Sequence, residues 1–157
     1  MAQAELAVPA MERFDGSDHA AGLHAQFHVR PAALAELRRL IRRSRVALVT
    51  TRDMYGALHT SPMVPSDRQF DGELWFAASA SSPIVDHVLS SADVQVTFPG
   101  GRSGRCLVLD GIGHVCRGAE LARALWQAEL STIFPRGPVD KGLVFVRVRV
   151  MSGDVWE

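Results

Sequence analysis

The sequence lacks the short motifs that identify several large enzyme classes. It contains no phosphate-binding loop with its lysine, no G-x-G-x-x-G nucleotide fingerprint and no G-x-S-x-G nucleophile elbow. Gly111-Ile112-Gly113 is only a G-x-G, and glycines inside a strand more often mark a bulge or a barrel bend. No His–His–carboxylate spacing indicates a metal site, and nothing nominates a Ser/His/Asp triad. No motif of this kind therefore identifies a reaction.

The sequence also has no charge excess and no long hydrophobic run. Seventeen basic and seventeen acidic side chains cancel, which argues against a protein devoted to holding nucleic-acid phosphates. The longest apolar stretches, 46–51 and 142–150, are too short to span a bilayer. Residues 1–11 show no basic cluster followed by an apolar run, so we expect no secretory signal. We therefore expect a cytoplasmic protein with neither a nucleic-acid nor a membrane partner.

Cysteine is scarce, with only Cys106 and Cys116 in the chain. Both fall in one predicted strand, and ten residues of extended chain span about 33 Å, too far for a disulfide. We expect two reduced thiols, as is usual in cytosolic proteins.

A chain of 157 residues fits one domain, which we place at 30–157, after a flexible N-terminal arm at 1–29. The arm is rich in Ala, His, Gly and Asp and has weak periodicity. Its histidines, His19, His24 and His28, raise the alternative of a metal cluster. No acidic or cysteine partner follows at a tight interval, so solvent-exposed histidines are the favoured interpretation.

A helix is predicted from Pro31, a residue suited to a first helical turn. Apolar residues then recur at helical spacing, namely Leu34, Leu37, Leu40 and Ile41. Four arginines cluster toward its C-terminal end, namely Arg38, Arg39, Arg42 and Arg43. They are candidates for binding an anion, but cations favour a helix C-terminus for dipole reasons alone. The solvated helix face is the favoured interpretation.

The remaining chain alternates short strands, turns and two helices. Strands are predicted at 46–51, 57–66, 73–78, 94–98, 105–117 and 142–150, with 154–157 as a possible extension, and helices at 83–90 and 119–133. Pro62 and Pro65 cannot donate to a ladder, so the second strand must be bulged or lie at an edge. In the last strand four valines alternate with Phe145, Arg147 and Arg149. This pattern predicts a closed antiparallel β-barrel, mainly β and α+β in class, with flanking helices.

The junction Ser79-Ala80-Ser81-Ser82 precedes the second predicted helix. Backbone N–H groups at a helix start, together with hydroxyl groups, make an anion site. The alternative is that Ser82 merely caps its helix, and on the residues alone that alternative is favoured.

From 37 to 156 the sequence resembles the general-stress-protein subgroup of pyridoxamine-phosphate-oxidase-like flavin proteins. The matching segments are 46–51 with its turn, Ser61-Pro62-Met63, 67–76, Ser82-Pro83, Ala124-Leu125-Trp126, 134–138 and Val155-Trp156-Glu157. Their order and spacing over about 120 residues carry the resemblance. It implies a six- to seven-stranded antiparallel split barrel, a homodimer with FMN at the interface, and flavin-linked redox chemistry on a small molecule.

The resemblance also implies a set of cofactor-binding residues. On one subunit they are Ser61, Pro62, Met63, Val64, Trp75, Phe76, Ala77, Ala78, Ser79, Ser81 and Ser82, and the partner is expected to supply Trp126 and Phe134. For any one aromatic residue taken alone, a place in the core is the better interpretation. Where such proteins usually carry an Arg and a Lys on the FMN phosphate, this chain has Ser61 and Ile84. His59 and Arg68 are the candidates to compensate.

Two function classes therefore stay open. In the first, the chain binds FMN and is a small oxidoreductase. In the second, the site has lost its phosphate ligands and binds a less anionic ligand, as a cofactor-independent biosynthetic enzyme or a binding protein. A third option is a deazaflavin, whose extended phosphate tail also calls for basic residues. Catalytic residues and the substrate are not indicated by the sequence.

Overall fold

A computed structural model describes residues 14–15 and 31–156, most of which form one curled antiparallel sheet. Its strands are β1 (Phe14–Asp15), β2 (Ala47–Arg52), β3 (Leu58–Met63), β4 (Glu73–Ser79), β5 (Asp93–Pro99), β6 (Cys106–Cys116) and β7 (Leu143–Trp156). The α-helices are α1 (Pro31–Arg43), α2 (Pro83–Ser90) and α3 (Ala119–Leu125), and short 3-10 turns occur at Gly101–Ser103, Ala128–Thr132 and Gly137–Val139. The predicted strands and the first two helices are thereby confirmed.

The sheet curls until its two ends meet. Its strand order is β1-β7-β6-β5-β2-β3, and β4 pairs with β7 beside this path. A bridge between Pro65 and Phe76 joins the chain just after β3 to β4, supported by a 2.8 Å hydrogen bond from the Ser66 N–H to the Trp75 carbonyl. Among the described residues, no other ladder joins β3 to β4. The fold is therefore a split barrel, as predicted, with its seam between these two strands.

The prolines and glycines lie where the backbone needs them. Pro62 is in β3, whose only ladder within the described chain is with β2, so its missing N–H costs no internal bond. The register between β6 and β7 shifts at Gly111. A Cβ there would lie 2.4 Å from the Arg149 carbonyl oxygen, and one at Gly113 would lie 2.7 Å from Cγ2 of Val94. Both the edge strand and the glycine bulge confirm the prediction.

The barrel interior is filled by alternate residues of each strand. In β7 these are the valines Val144, Val146, Val148 and Val150. Helix α2 adds Ile84, Val85 and Val88, and α1 adds Leu37, Leu40 and Ile41. Phe145 leaves this core for a second cluster, which confirms the predicted alternation.

The second cluster lies on the outer face of β4 and β7. It comprises Trp75, Ala122, Leu125, Phe134, Leu143 and Phe145. The helix predicted at 119–133 is wrong in its second half, because α3 ends at Leu125 and Trp126 is extended. A 3-10 turn follows, which lets Leu130 and Phe134 fold back onto the same cluster. No proline or glycine marks this break, so tertiary packing overrides helix propensity here.

Two residues of the predicted arm are described. Phe14 and Asp15 pair with Gly153 and Ser152 of β7. The rest of 1–29, including the three histidines, lies outside the described residues, so its flexibility and the metal alternative stay predictions. Over the part of the chain that the structure describes, no helix combines the length and apolar character needed to cross a membrane.

Both thiols are free and lie at opposite ends of β6, as the sequence predicts. Burial raises the pKa of Cys106 and of Cys116 above the ordinary range of a cysteine. These thiols are therefore poor nucleophiles at neutral pH.

Candidate ligand site at the barrel seam

The Pro65–Phe76 bridge sets a register in which the predicted phosphate-binding segments would face each other. If the antiparallel register of the Pro65–Phe76 bridge continued, Ser61 would lie opposite Ala80 and His59 opposite Ser82. No ladder forms there among the described residues, so the strands separate above the bridge. The backbone edge of β3 and the turn before α2 are therefore left without a ladder between them in the described chain.

Strand β3 presents two different faces at the seam. Ser61 and Met63 lie opposite Val49 and Ala47, which point into the barrel, so they share the inner face. Met63 packs against the core and Ser61 is half-buried. Val64, on the other face, is 62% exposed. Strand β3 thus directs the Ser61 hydroxyl toward the barrel interior, and exposed apolar side chains lie on its outer face.

The opposing edge is the serine-rich turn. The Oγ atoms of Ser79 and Ser81 lie 3.1 Å apart, and the Ser82 N–H donates to the Ser79 carbonyl at 2.9 Å. Ser82 occupies the N-cap position of α2 with Pro83 after it, but its side chain makes no capping hydrogen bond. The capping interpretation favoured on the residues alone therefore does not account for this hydroxyl, which remains available to a ligand.

A polar cluster that the sequence did not indicate lies at the upper end of the seam. Nε2 of His59 is 2.8 Å from Oδ2 of Asp53, and the His59 ring lies 4.6 Å from the His87 ring, centroid to centroid. Nδ1 of His87 is 3.0 Å from the hydroxyl of Thr51, which is buried. The hydrogen bond with His59 is the largest influence lowering the pKa of the Asp53 carboxyl, and the N–H groups of Ala57 and Tyr55 add to it.

Only His59 among these four residues had a sequence signal, as a candidate compensating cation near Ser61. Asp53 stands in a turn and His87 within a helix, and neither position indicates proximity to the other. Arg68, the other candidate, is exposed and pairs with Asp71 at 3.4 Å. Of the two candidates, His59 therefore lies at the upper end of the seam, whereas Arg68 is paired with Asp71.

Three residues carried over from the family pattern lie inside the barrel. Ile84, at the usual lysine position, is 4% exposed and packs in the core. Phe76 and Ala78 are buried in the same core. Their side chains face the barrel interior, so they would support a ligand only through their backbone.

The aromatic residues of the predicted site are gathered within one chain. Trp75 and Phe134 are buried together outside the barrel, and Ala77 and Trp126 pack against them. Whether Trp126 and Phe134 also contact the partner's site stays a prediction. Phe134 is 4% exposed, because its ring already packs on its own sheet, and it offers little surface to a second subunit.

A row of polar nitrogens borders this aromatic cluster. Trp75, Arg147 and His114 are direct neighbours across β4, β7 and β6. The Arg147 guanidinium carbon lies 5.7 Å from the centroid of the Trp75 ring, and Arg147 pairs with Glu73 at 3.7 Å. Trp75 Nε1, Arg147 Nε and His114 Nδ1 are buried with no hydrogen-bond partner among the described residues. They are available to water or to oxygen atoms of a ligand.

The seam fits the parts of a flavin unequally. Serine hydroxyls, backbone N–H groups and exposed apolar side chains suit a planar heterocycle and its neutral substituents. A phosphate dianion needs cationic donors, and here it would meet Ser61, the serine turn and two imidazoles beside the Asp53 carboxylate. The residues present therefore do not fit the phosphate group.

Comparison with known proteins identifies the family. The model of the family described as "Pyridoxamine 5'-phosphate oxidase like" matches residues 32–157. The chain belongs to this family. No curated protein matches the sequence of this oxidase-like chain.

Solved structures share the fold at low sequence identity. A Clostridium acetobutylicum protein related to general stress protein 26 has a TM-score of 0.72 at 16% identity, covering 82% of this chain and 91% of its own. The general stress FMN/FAD binding protein of Xanthomonas citri has a TM-score of 0.70 at 15% identity, covering 81% and 89%. General stress protein 26 of Bacillus anthracis has a TM-score of 0.63 at 16% identity, covering 75% and 88%.

Proposed function

We propose that the chain is a small flavin-type (FMN) oxidoreductase that acts on a small molecule and holds the flavin ring more firmly than the phosphate. The observation that carries this proposal is the open seam, because among the described residues only the Pro65–Phe76 bridge joins the end of β3 to β4. Membership of the oxidase-like family and the FMN/FAD binding described for the Xanthomonas citri relative support it.

The chain's own residues have separable tasks in this proposal. A bound flavin would carry the electrons. Exposed Pro62 and Val64 provide an apolar strip against which a planar ring can pack. The hydroxyls of Ser61, Ser79 and Ser81 donate to polar ligand atoms. Asp53 holds the His59 ring in one orientation at the upper end of the seam, where its other ring nitrogen can hydrogen-bond to a ligand.

A second candidate function is favoured by the two positions at which this chain lacks the basic residues of the family pattern. Ser61 is neutral, and Ile84 is buried in the core, so neither cation of the family pattern is present. A barrel with this seam suits a less anionic ligand, which it would bind as a cofactor-independent biosynthetic enzyme or as a binding protein.

The proposal includes a cytoplasmic homodimer. On the outer face of the sheet, Leu48 and Leu58 are exposed, and Leu48 stands beside Pro62 in the register. Apolar side chains on one face of a sheet are typical of an isologous interface. Burying this face would place each seam beside the partner subunit.

The direct test of the first candidate is the visible spectrum of the purified protein reconstituted with excess riboflavin or FMN. The proposal predicts a perturbed flavin spectrum that is bleached by a nicotinamide or dithionite reductant and restored by air. If neither flavin changes its spectrum on mixing, and a panel of uncharged heterocycles raises the melting temperature instead, the second candidate stands.

A further inference from the structure

A separate group of basic side chains lies at the other end of the barrel. A cavity of about 740 Å³ opens between the end of α1, the start of β2 and the turn that joins β5 to β6. Five arginines line it, namely Arg39, Arg43, Arg45, Arg102 and Arg105, above a floor that includes Leu40, Val46 and Phe98. We call this cavity the arginine pocket. It is distinct from the polar cluster at the seam: β2 begins beside the arginine pocket at Ala47, and near the other end of β2 Thr51 contacts His87 of α2.

One carboxylate holds two of the five arginines in place. Oε1 of Glu36 accepts hydrogen bonds from Arg39 Nη2 at 2.8 Å and from Arg105 Nη1 at 3.0 Å, and Oε2 accepts from Arg39 Nε at 2.9 Å. The hydrogen bond from Arg39 is the main cause that lowers the pKa of Glu36, and the charges of Arg39, Arg105 and Arg43 add to it. Glu36 therefore orients two guanidinium groups at the rim and stays ionised.

The other three arginines have no such partner. Within the described residues, Arg43, Arg45 and Arg102 make no side-chain hydrogen bond and no ion pair. Among the described residues, three guanidinium groups without an ionic partner thus line one cavity, in a chain whose net charge is zero. Like charges gathered around one cavity repel each other, and a bound anion would relieve that repulsion. The uncompensated charge indicates that the pocket has an anionic occupant.

The walls of the arginine pocket are fixed to one another. The hydroxyl of Ser44, just after α1, donates to the Pro99 carbonyl at the end of β5. In the following turn, a Cβ on Gly100 would lie 1.4 Å from the Arg105 carbonyl oxygen, so the turn folds tightly against that backbone. Gly101 has a φ of +56°, which favours glycine. The arginines therefore project from a preformed frame.

We propose that the arginine pocket binds a small molecule carrying two or more phosphate groups. Guanidinium forks match phosphate oxygens in pairs, and five of them exceed what a single phosphate can engage. The volume lies in the range of small-ligand sites, and the apolar floor can receive an organic group attached to the phosphates. A nucleoside diphosphate and free polyphosphate both carry linked phosphate groups of this kind.

The test is isothermal titration of the full chain with inorganic tripolyphosphate and with ADP, at constant ionic strength. The proposal expects saturable binding of at least one of them. The variant Arg43→Gln/Arg102→Gln should bind about a hundredfold more weakly, because removing each guanidinium group weakens phosphate binding about tenfold. The control Arg117→Gln/Arg136→Gln removes two exposed arginines outside the pocket and should bind like the wild type. If ADP binds more tightly than tripolyphosphate, the ligand of the pocket is a nucleotide. If tripolyphosphate binds more tightly, the ligand is polyphosphate.

Three results would overturn the proposal. The first is no saturable heat with either ligand, and the second is an equal loss of affinity in the pocket variant and the control. The third is a short single-stranded DNA binding far more tightly than both ligands, which would make this face a nucleic-acid surface. Riboflavin binding, measured in parallel on the pocket variant, should equal that of the wild type. A failure of the arginine-pocket proposal can therefore be distinguished from a failure of the flavin proposal.

Discussion

Nε2 of His59 lies 2.8 Å from Oδ2 of Asp53, and the same carboxylate accepts hydrogen bonds from the Tyr55 and Ala57 N–H groups through Oδ1. One side chain thus orders the β2–β3 turn and fixes an imidazole beside the seam. Because these contacts favour the ionised carboxylate, they couple the stability of the hairpin to pH.

The first prediction follows from the lowered pKa of Asp53. A carboxyl whose pKa is lower in the folded protein stabilises the fold fully above its unfolded value, about 3.9, and loses that effect as pH falls through the folded value. We expect Asp53→Asn to lower the melting temperature at pH 7, by a difference that shrinks as the pH approaches 3. Calorimetry across this range tests it, with exposed Asp67→Asn as the control. A difference independent of pH would contradict the role given to the carboxylate.

The second prediction concerns Gly111 of β6, which lies where Met151 bulges out of the register in β7. An alanine at Gly111 would place its Cβ 2.4 Å from the Arg149 carbonyl oxygen and 2.8 Å from Val148 Cγ1, so two paired strands must move apart. We expect Gly111→Ala to lower the free energy of unfolding by about 3 kcal/mol, as overpacking does. Gly142→Ala is the matched control, since its Cβ would meet only the Asp140 side chain at 3.3 Å. Equal urea midpoints for the two variants would show that the strands tolerate the extra carbon.

The third prediction concerns assembly. Light scattering should give about twice the chain mass of 17.1 kDa. We expect Leu48→Asp, on the exposed sheet face, to shift the protein toward monomer. Leu89→Asp, at a leucine that is exposed on α2, should leave the mass unchanged. A wild-type monomer at micromolar concentration would remove both the dimer and any shared ligand site.

The fourth prediction concerns the arm. A chain beginning at Arg30 should still fold, because the pairing of Phe14 and Asp15 adds only two residue pairs to β7, whose ladders with β6 and β4 do not depend on it. Soluble expression and the far-ultraviolet spectrum of the shortened chain test this. Loss of soluble protein would make the arm structural, and loss of ligand binding in a folded chain would make it part of the site.

The fold could be predicted from the sequence because its signals are local. Alternating valines in β7, proline at an edge strand and glycine at a bulge each constrain the backbone where they occur. The break after Leu125 could not be predicted, since no residue there opposes a helix, and only the packing of Trp126 and Phe134 on the sheet ends it.

The site could be predicted only where it follows one strand or one turn. The segments around Ser61 and Ser79 were identified from their motifs, and the fold places them in β3 and at the end of β4, the two strands that border the seam. The contacts between Asp53, His59 and His87 depend on how α2 closes the barrel, which no spacing encodes. The burial of Ile84 likewise follows from the orientation of α2, and it removes this residue as a position for restoring a phosphate contact.

The ratio of FMN to riboflavin affinity decides whether the seam holds a flavin ring without a phosphate site. It is measured by fluorescence titration of the ligand-free protein and of Ser61→Arg. We expect the wild type to bind the two within a few fold, because hydroxyls alone compensate poorly for desolvating a dianion. The variant should favour FMN by about tenfold or more, an advantage that salt reduces. Thr132→Arg adds the same charge away from the seam and should change nothing. A wild type that purifies yellow and binds FMN at submicromolar concentration, far more tightly than riboflavin, would show that the seam does hold the phosphate.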